Sequence, residues 1–169
     1  MGYTHYYQFK KGQAVDMAKF ADAVALFNKC LTEMPKDIII RNGIGEGEPI
    51  INNQHIVFNG DADNDLDYET FAIEPNDEWN CCKTGQQPYD LAVCLCLLSF
   101  KEVFADDFDY HSDGTRREDI VNPTDYMKKY SAESGYTYKV EEEWERAYEI
   151  FDKVVGKSIE YPKEYTYWG

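Results

Sequence analysis

The sequence predicts an α+β fold: a mostly antiparallel sheet with about three main helices packed on it, one of them buried in the core. Short β-prone segments are separated by turn residues and do not alternate regularly with helices, which argues against a parallel α/β fold. Residues 88–104 are apolar nearly all round, which is typical of a helix inside a core. The chain has 169 residues, so we expect a single domain over residues 1–169.

The first half of the chain begins with an aromatic strand pattern at residues 3–9. Alternation places Tyr3, His5, Tyr7 and Phe9 on one face of this strand, and Thr4, Tyr6 and Gln8 on the other. Asp16 is then a candidate N-cap for a helix that ends before Pro35. The apolar stripe of that helix consists of Met17, Phe20, Val24, Phe27, Leu31 and Met34. Further strands are predicted at 37–41, 49–59 and 70–74, the first two as a hairpin.

The second half carries the other two main helices. The helix at 88–104 begins at Pro88, a residue that suits the first helical position. The helix at 140–155 is amphipathic, has glutamates in its first turn, and ends at Gly156. Its stripe consists of Trp144, Ala147, Tyr148, Phe151, Val154 and Val155. We also expect a strand at 108–111, a turn at 112–114, an irregular stretch at 115–139 with one short helix after Pro123, and an edge strand at 164–169.

Charge and composition exclude several classes of protein. There are 17 Lys and Arg against 32 Asp and Glu, so the net charge is -15. Such a surface repels phosphate backbones and anionic lipid, which predicts no direct nucleic-acid binding and no membrane association. The N-terminus has no signal-peptide pattern, and the five cysteines include no CxxC pair. We therefore expect a cytoplasmic protein with reduced thiols, no cofactor and no metal.

Four short motifs follow one another along the chain: GYTHY at 2–6, FNG at 58–60 with ETF at 69–71, CKT and PYD within 82–90, and SDG at 112–114. In order and spacing they resemble a family of small uncharacterised proteins encoded by bacteriophages, prophages and some bacteria. The resemblance spans roughly residues 2–155 and implies a phage or prophage origin, with the host cytoplasm as location, more than a chemistry. Family members often carry basic residues between CKT and PYD, where this chain has Gly85, Gln86 and Gln87.

The candidate binding residues combine aromatic rings with one cation beside a helix N-terminus. The free N–H groups at the N-terminus of the helix that begins at Pro88 can hold an anion, and Lys83 adds a charge. Rings on the first strand can stack on a flat ligand. The predicted ligand-binding residues are Tyr3, His5, Tyr7, Lys83, Thr84, Tyr89, Ser112 and Asp113. An alternative stays open, in which the rings fill the core and Thr84 merely satisfies backbone groups.

Three other patterns are weaker. Acidic residues alternate over 61–69 like the start of a calcium loop, but Leu66 and Ala72 stand where an EF-hand needs Gly and Glu, so only a looser Ca²⁺ or Mg²⁺ site stays open. The glycines at 43–47 follow a predicted strand, as those of a dinucleotide-binding loop do, but the glutamates beside them would repel a pyrophosphate. The adjacent residues 111–113 point apart in an extended chain and do not form a catalytic triad.

The sequence therefore favours a phage-type accessory protein that binds a small, partly anionic, planar ligand, for example a nucleotide-derived signal of host defence. One alternative is an acidic inhibitor that imitates DNA and blocks a host nucleic-acid-binding protein. Another is a small metal-assisted or His-dependent hydrolase, for which His5, His111, Asp113 and Lys83 are the candidate groups. We rank enzyme activity last and assign no catalytic residue. A host protein partner and a homo-oligomer both stay open.

Overall fold

The computed structural model describes residues 2–157 and 160–167, and the chain divides into two compact units, Met1–Asp113 and Gly114–Gly169. The predicted α+β class is confirmed, because the described residues form five α-helices and eight strands that pair antiparallel. The strands are divided among three small sheets. None of the described helices combines the length and the apolar character needed to cross a bilayer. The single domain over 1–169 stays a prediction.

The first unit contains two three-stranded sheets and two long helices. In chain order its elements are β1 (Thr4–Phe9), α1 (Met17–Glu33), β2 (Ile50–Ile51), β3 (Ile56–Phe58), β4 (Phe71–Ile73), β5 (Asn80–Lys83), α2 (Asp90–Phe104) and β6 (Phe108–Ser112). One sheet has the order β5-β1-β6, and the other has the order β2-β3-β4. In the first sheet Tyr6 lies opposite Cys81 on one side and His111 on the other, so β1 is the central strand.

Helix α2 is the centre of the first unit, as its continuous apolar run predicts. Its residues from Asp90 to Phe100 are all buried, and α1 packs along it. The ring of Phe9 lies 4.9–6.3 Å from four other rings, those of Phe20, Phe100, Phe104 and Phe108. These aromatic contacts join β1, β6 and both helices into one core.

The predicted ends of α1 are confirmed. Asp16 accepts hydrogen bonds from the backbone N–H groups of Ala18 and Lys19, and the helix ends before Pro35. Most of the predicted stripe is buried, but Met17 at the first turn is 41% exposed. A helix end projects beyond the surface on which the middle of the helix packs, so its first apolar residue reaches solvent.

The second unit is built around one amphipathic helix. Its elements are α3 (Arg117–Val121), α4 (Asp125–Ser134), β7 (Tyr138–Lys139), α5 (Glu142–Val155) and β8 (Glu164–Tyr165), with β7 and β8 paired antiparallel. Trp144, Tyr148 and Phe151 form the buried stripe of α5. Arg117 donates to Asp152 at 2.8 Å, and its guanidinium lies 4.2 Å from the centre of the Tyr148 ring.

Some predicted elements differ from the structure. The predicted strand at 37–41 is wrong, because only Arg41 pairs, in an isolated bridge with Asn59. Residues 49–59 form two strands instead of one, since Asn52 accepts backbone hydrogen bonds two and three residues ahead and turns the chain. The stretch at 115–139 holds two helices and β7. The tail forms β8, and Trp168 and Gly169 of the predicted tail strand lie outside the described residues.

Candidate functional site

The inner face of the sheet β5-β1-β6 is covered, and His5 lies there in a buried polar cluster. His5 is fully buried, and its Nε2 lies 2.6 Å from Oδ1 of Asp90, the first residue of α2. The hydroxyl of Thr84 donates to the same carboxylate oxygen at 2.5 Å. Sγ of Cys94 lies 3.7 Å from the other carboxylate oxygen, because Cys94 follows Asp90 by one helical turn. Two predicted ligand-binding residues therefore meet each other, inside the protein.

The predicted tyrosines are also buried. The Tyr7 hydroxyl donates to the backbone carbonyl of Ala72 at 2.7 Å, and the Tyr89 hydroxyl donates to that of Glu69 at 2.7 Å. Burial raises the pKa of both Tyr7 and Tyr89 well above the ordinary value, so both stay neutral donors. Tyr3 accepts a hydrogen bond from the Ser112 hydroxyl at 3.3 Å. This burial supports the alternative interpretation, in which the rings fill the core.

The first, third and fourth motifs meet through their backbones at one end of the sheet. The N–H of Thr84 donates to the carbonyl of Tyr3 at 2.9 Å. The N–H of Asp113 donates to the carbonyl of Thr4 at 3.0 Å, and the N–H of Thr4 donates back to the Asp113 carboxylate at 2.9 Å. These three motifs, which are far apart in the sequence, therefore lie next to one another in the first unit.

The second motif joins the same cluster. The Glu69 carboxylate accepts from the N–H of Lys83 at 2.7 Å, and the Glu69 N–H donates back to the Lys83 carbonyl at 3.2 Å. A Cβ at Gly60 would lie 2.0 Å from the carbonyl oxygen of Leu66 and 2.9 Å from the Tyr89 ring, so only glycine fits there. The motifs therefore specify the packing of this end of the unit.

The outer face of the same sheet is a polar and aromatic surface that reaches solvent. Residues directly opposite on paired strands share a face, and the register places three rows of side chains side by side. The outer-face residues are Thr4, Tyr6 and Gln8 from β1, Cys81 and Lys83 from β5, and Asp109 and His111 from β6. Of the predicted site residues, Lys83 therefore belongs to the outer face, and Asp113 borders it through a hydrogen bond from the Tyr6 hydroxyl at 3.4 Å.

A groove crosses this outer face and contains exposed rings. The rings of Tyr6 and Trp79 stack, with centroids 5.9 Å apart and planes at 29°. Nε2 of His111 lies 3.3 Å from Oδ2 of Asp109 on the far side. The groove encloses about 160 Å³ and is lined by Tyr6, Tyr7, Gln8, Trp79, Asp109 and His111. Trp79 is 60% exposed, so much of its indole surface reaches solvent.

The sequence did not single out Tyr6, Trp79, Asp109 or His111 as one ligand-binding group. The alternation of β1 placed Tyr6 on the face opposite His5, but nothing local indicated that this face is the open one. Trp79 lies outside the regular strands, so no spacing connects it to Tyr6. Their proximity depends on the pairing of β1 with β5, which are more than 70 residues apart in the sequence.

A second hollow of about 250 Å³ lies at the other end of β1. Its charged lining residues are Lys10, Asp16, Lys19 and Asp107. Asp16 already caps α1, and the two lysines lie among as many carboxylates. This hollow therefore has no excess charge to select an ionic ligand, and its rings belong to the phenylalanine core.

The described residues bring metal-ligating side chains together at His5, Asp90 and Cys94. The acidic residues at 61–69 do not form such a group in the part of the chain that the structure describes. Asp61 is instead buried, accepts a hydrogen bond from Asn64 at 2.7 Å and lies 3.6 Å from Nε of Arg41. The looser Ca²⁺ or Mg²⁺ site at 61–69 thus gains no support.

We compared the chain with protein-family models, with curated proteins and with solved structures, and none of the three comparisons gives a match. The resemblance to phage-encoded proteins stays a prediction from the four motifs.

Proposed function

We propose that this protein binds a small planar, partly anionic ligand, and that the groove on the outer face of β5-β1-β6 is its binding site. The observation that carries the proposal is the stacked pair of Tyr6 and Trp79 beside an open groove of about 160 Å³. Exposed aromatic rings that line a concave surface are an ordinary platform for flat ligands.

The polar groups around the rings define the chemistry of the ligand. Asp109 offers a carboxylate, which accepts hydrogen bonds from the amino edge of a heterocycle. Gln8 lies opposite Asp109 in the register and offers both a donor and an acceptor. Lys83 lies on the same face, opposite Thr4 and outside the six lining residues, where its ammonium group attracts an anionic substituent that extends past the groove. A base joined to a phosphate combines these features.

The charge of the chain favours a small ligand over a polymer. With a net charge of -15, the surface as a whole repels a phosphate backbone. A single phosphate needs only a local cation, and Lys83 supplies one. A phage-type accessory protein that sequesters a nucleotide-derived defence signal is therefore the function that we propose for this groove.

The test is a calorimetric titration of the full chain with linear and cyclic nucleotides and with the matching nucleosides. We expect binding of at least one nucleotide, and a loss of about 1–3 kcal/mol of binding free energy when Trp79 becomes Ala, which is roughly 5- to 150-fold in Kd. Tyr126→Ala is the matched control, because Tyr126 is 72% exposed in the second unit. Absence of heat with every compound, or equal losses in both variants, would reject the proposal.

A second variant tests the assignment of the anion to Lys83. Lys83→Gln removes the charge but keeps a long polar side chain, so it should weaken nucleotides and leave nucleosides unchanged. Lys128→Gln, at an exposed lysine of the second unit, is its control. Equal weakening of nucleotides and nucleosides by Lys83→Gln would show that the lysine has no role in binding the anion.

A further inference from the structure

The polar cluster of His5, Asp90 and Cys94 has a composition that a purely structural core does not need. Each of the three residues is buried and offers a different ligand atom: an imidazole nitrogen, a carboxylate oxygen and a thiol sulfur. These atoms all lie within 4.8 Å of one another. β1 supplies the histidine, and the first two turns of α2 supply the other two residues.

We propose that this cluster is a binding site for a divalent transition metal, and that its ligand chemistry selects zinc. Imidazole, carboxylate and thiolate are the protein ligands of Zn²⁺, whereas Ca²⁺ and Mg²⁺ take oxygen ligands. One neutral imidazole, one carboxylate and one thiolate also cancel the 2+ charge of the ion. An electroneutral site avoids the cost of burying a net charge.

The distance between sulfur and oxygen agrees with this assignment. A sulfur at about 2.3 Å and an oxygen at about 2.1 Å from a tetrahedral zinc lie about 3.6 Å apart. Sγ of Cys94 and Oδ2 of Asp90 lie 3.7 Å apart. The hydroxyl of Thr84 donates to Oδ1 of Asp90, which is the kind of hydrogen bond that orients a ligating carboxylate.

Metal binding changes the protons of the cluster in a defined way. The thiol proton of Cys94 is released to solvent, since the thiolate is the ligand, so the apparent affinity rises with pH. The 2.6 Å hydrogen bond from Nε2 of His5 to Oδ1 of Asp90 is lost, because a zinc-bound Nε2 carries no proton to donate. The ring proton of His5 moves from Nε2 to Nδ1 by exchange with solvent, so the imidazole binds the metal in its neutral form.

The site links two elements that are far apart in the sequence. It joins β1 to the start of α2, and His5 and Asp90 are 85 residues apart in the sequence. All three side chains are buried, and they leave the fourth position of a tetrahedral zinc to a water molecule. Bound metal therefore stabilises the first unit, and the site is separate from the groove on the outer face.

The experiment uses the full chain, purified without chelators and equilibrated with Zn²⁺ against a competing chromophoric chelator. We expect one zinc per chain by elemental analysis, and a higher thermal midpoint with zinc than without it. Cys94→Ala should lose both effects. Cys96→Ala is the matched control, because Cys96 is equally buried on α2 and lies outside the cluster, so this variant should keep both.

Two outcomes would overturn the proposal: a folded wild-type chain that takes up no zinc, and a Cys94→Ala chain that keeps it. Should Cys94→Ala fail to fold, Co²⁺ in the wild-type chain decides the question. A thiolate-to-cobalt charge-transfer band supports ligation by a cysteine. A chain that binds cobalt without that band contradicts the site.

Discussion

The two faces of β1 differ in what surrounds them, although both belong to one strand of six residues. On the inner face, His5 and Tyr7 are buried, and each has a hydrogen-bond partner more than 60 residues away. On the outer face, Tyr6 stacks on an exposed tryptophan, and its hydroxyl makes only a 3.4 Å contact. Tyr6 and Tyr7 are adjacent and chemically identical, so the packing against each face decides which residue is buried and which reaches solvent.

The difference has an energetic consequence. A buried polar group that loses its partner costs the full desolvation of the group that remains, whereas water replaces a partner lost at the surface. Changes on the inner face should therefore reduce the free energy of unfolding. Changes on the outer face should leave it almost unchanged and should affect ligand affinity instead.

The largest effect is expected at Asp90. In the chain without added metal, Asp90→Ala removes the acceptor shared by His5 and Thr84, and breaking such a buried pair costs about 3–5 kcal/mol. Asp109→Ala removes an exposed carboxylate from the outer face and should change the free energy of unfolding by less than about 0.5 kcal/mol. Denaturant unfolding of both variants measures the two values, and similar losses would contradict the contrast between the faces.

The next largest effect is a difference in thiol reactivity between two adjacent cysteines. Cys81 is exposed on the outer face, whereas Cys82 is buried and burial raises its pKa to about 12. At pH 8 we expect a thiol reagent to modify Cys81 at least about 100-fold faster than Cys82. The buried Cys82 reacts only when the surrounding structure opens, and a free energy of opening of about 2.7 kcal/mol slows the reaction by this factor. Mass spectrometry of peptides along the time course measures both rates. Comparable rates would show that β5 opens readily.

The same pKa shift sets a pH dependence for stability. The folded chain keeps the Cys82 proton up to about pH 12, whereas the unfolded chain loses it near the ordinary thiol pKa of 9.0. The protonated Cys82 thiol therefore makes its full contribution to the free energy of unfolding below pH 9, and this contribution declines as the pH rises toward 12. Cys82→Ala should therefore reduce the alkaline loss of unfolding free energy, and an unchanged loss would assign it to other groups.

Sequence patterns predicted the elements that are determined by residues close together in the sequence. Asp16 and Gly156 mark helix ends through hydrogen bonds and a left-handed residue at their own positions. The alternation of side chains along β1 correctly predicted which residues share each of its two faces. β5 was missed because Asn80 and Lys83 have little preference for strands, and its strand conformation comes from pairing with β1. The run at 37–41 was overestimated for the converse reason, since apolar residues form no strand without a partner.

The candidate site shows the same limit. The structure joins residues of three of the motifs through the backbone hydrogen bonds of Tyr3, Thr84 and Asp113. Which face of β1 is covered depends on where α2 packs, and α2 begins 81 residues after the strand ends. The sequence therefore selected rings on the face that α2 buries. The groove at Tyr6 and Trp79 could be identified only from the folded structure.

The smallest effect is the sharpest test of the comparison, because it makes the same change on adjacent residues. Tyr7→Phe removes a hydroxyl that donates to the Ala72 carbonyl at 2.7 Å in a buried setting, and should lower the free energy of unfolding by about 1–2 kcal/mol. Tyr6→Phe removes a hydroxyl that lies 3.4 Å from Asp113 at the surface, and should change it by less than about 0.5 kcal/mol. Urea unfolding of the pair gives the difference directly. Equal values would mean that the two faces do not differ in solvation, and the separation of the strand into a buried face and a solvent-exposed face would no longer hold.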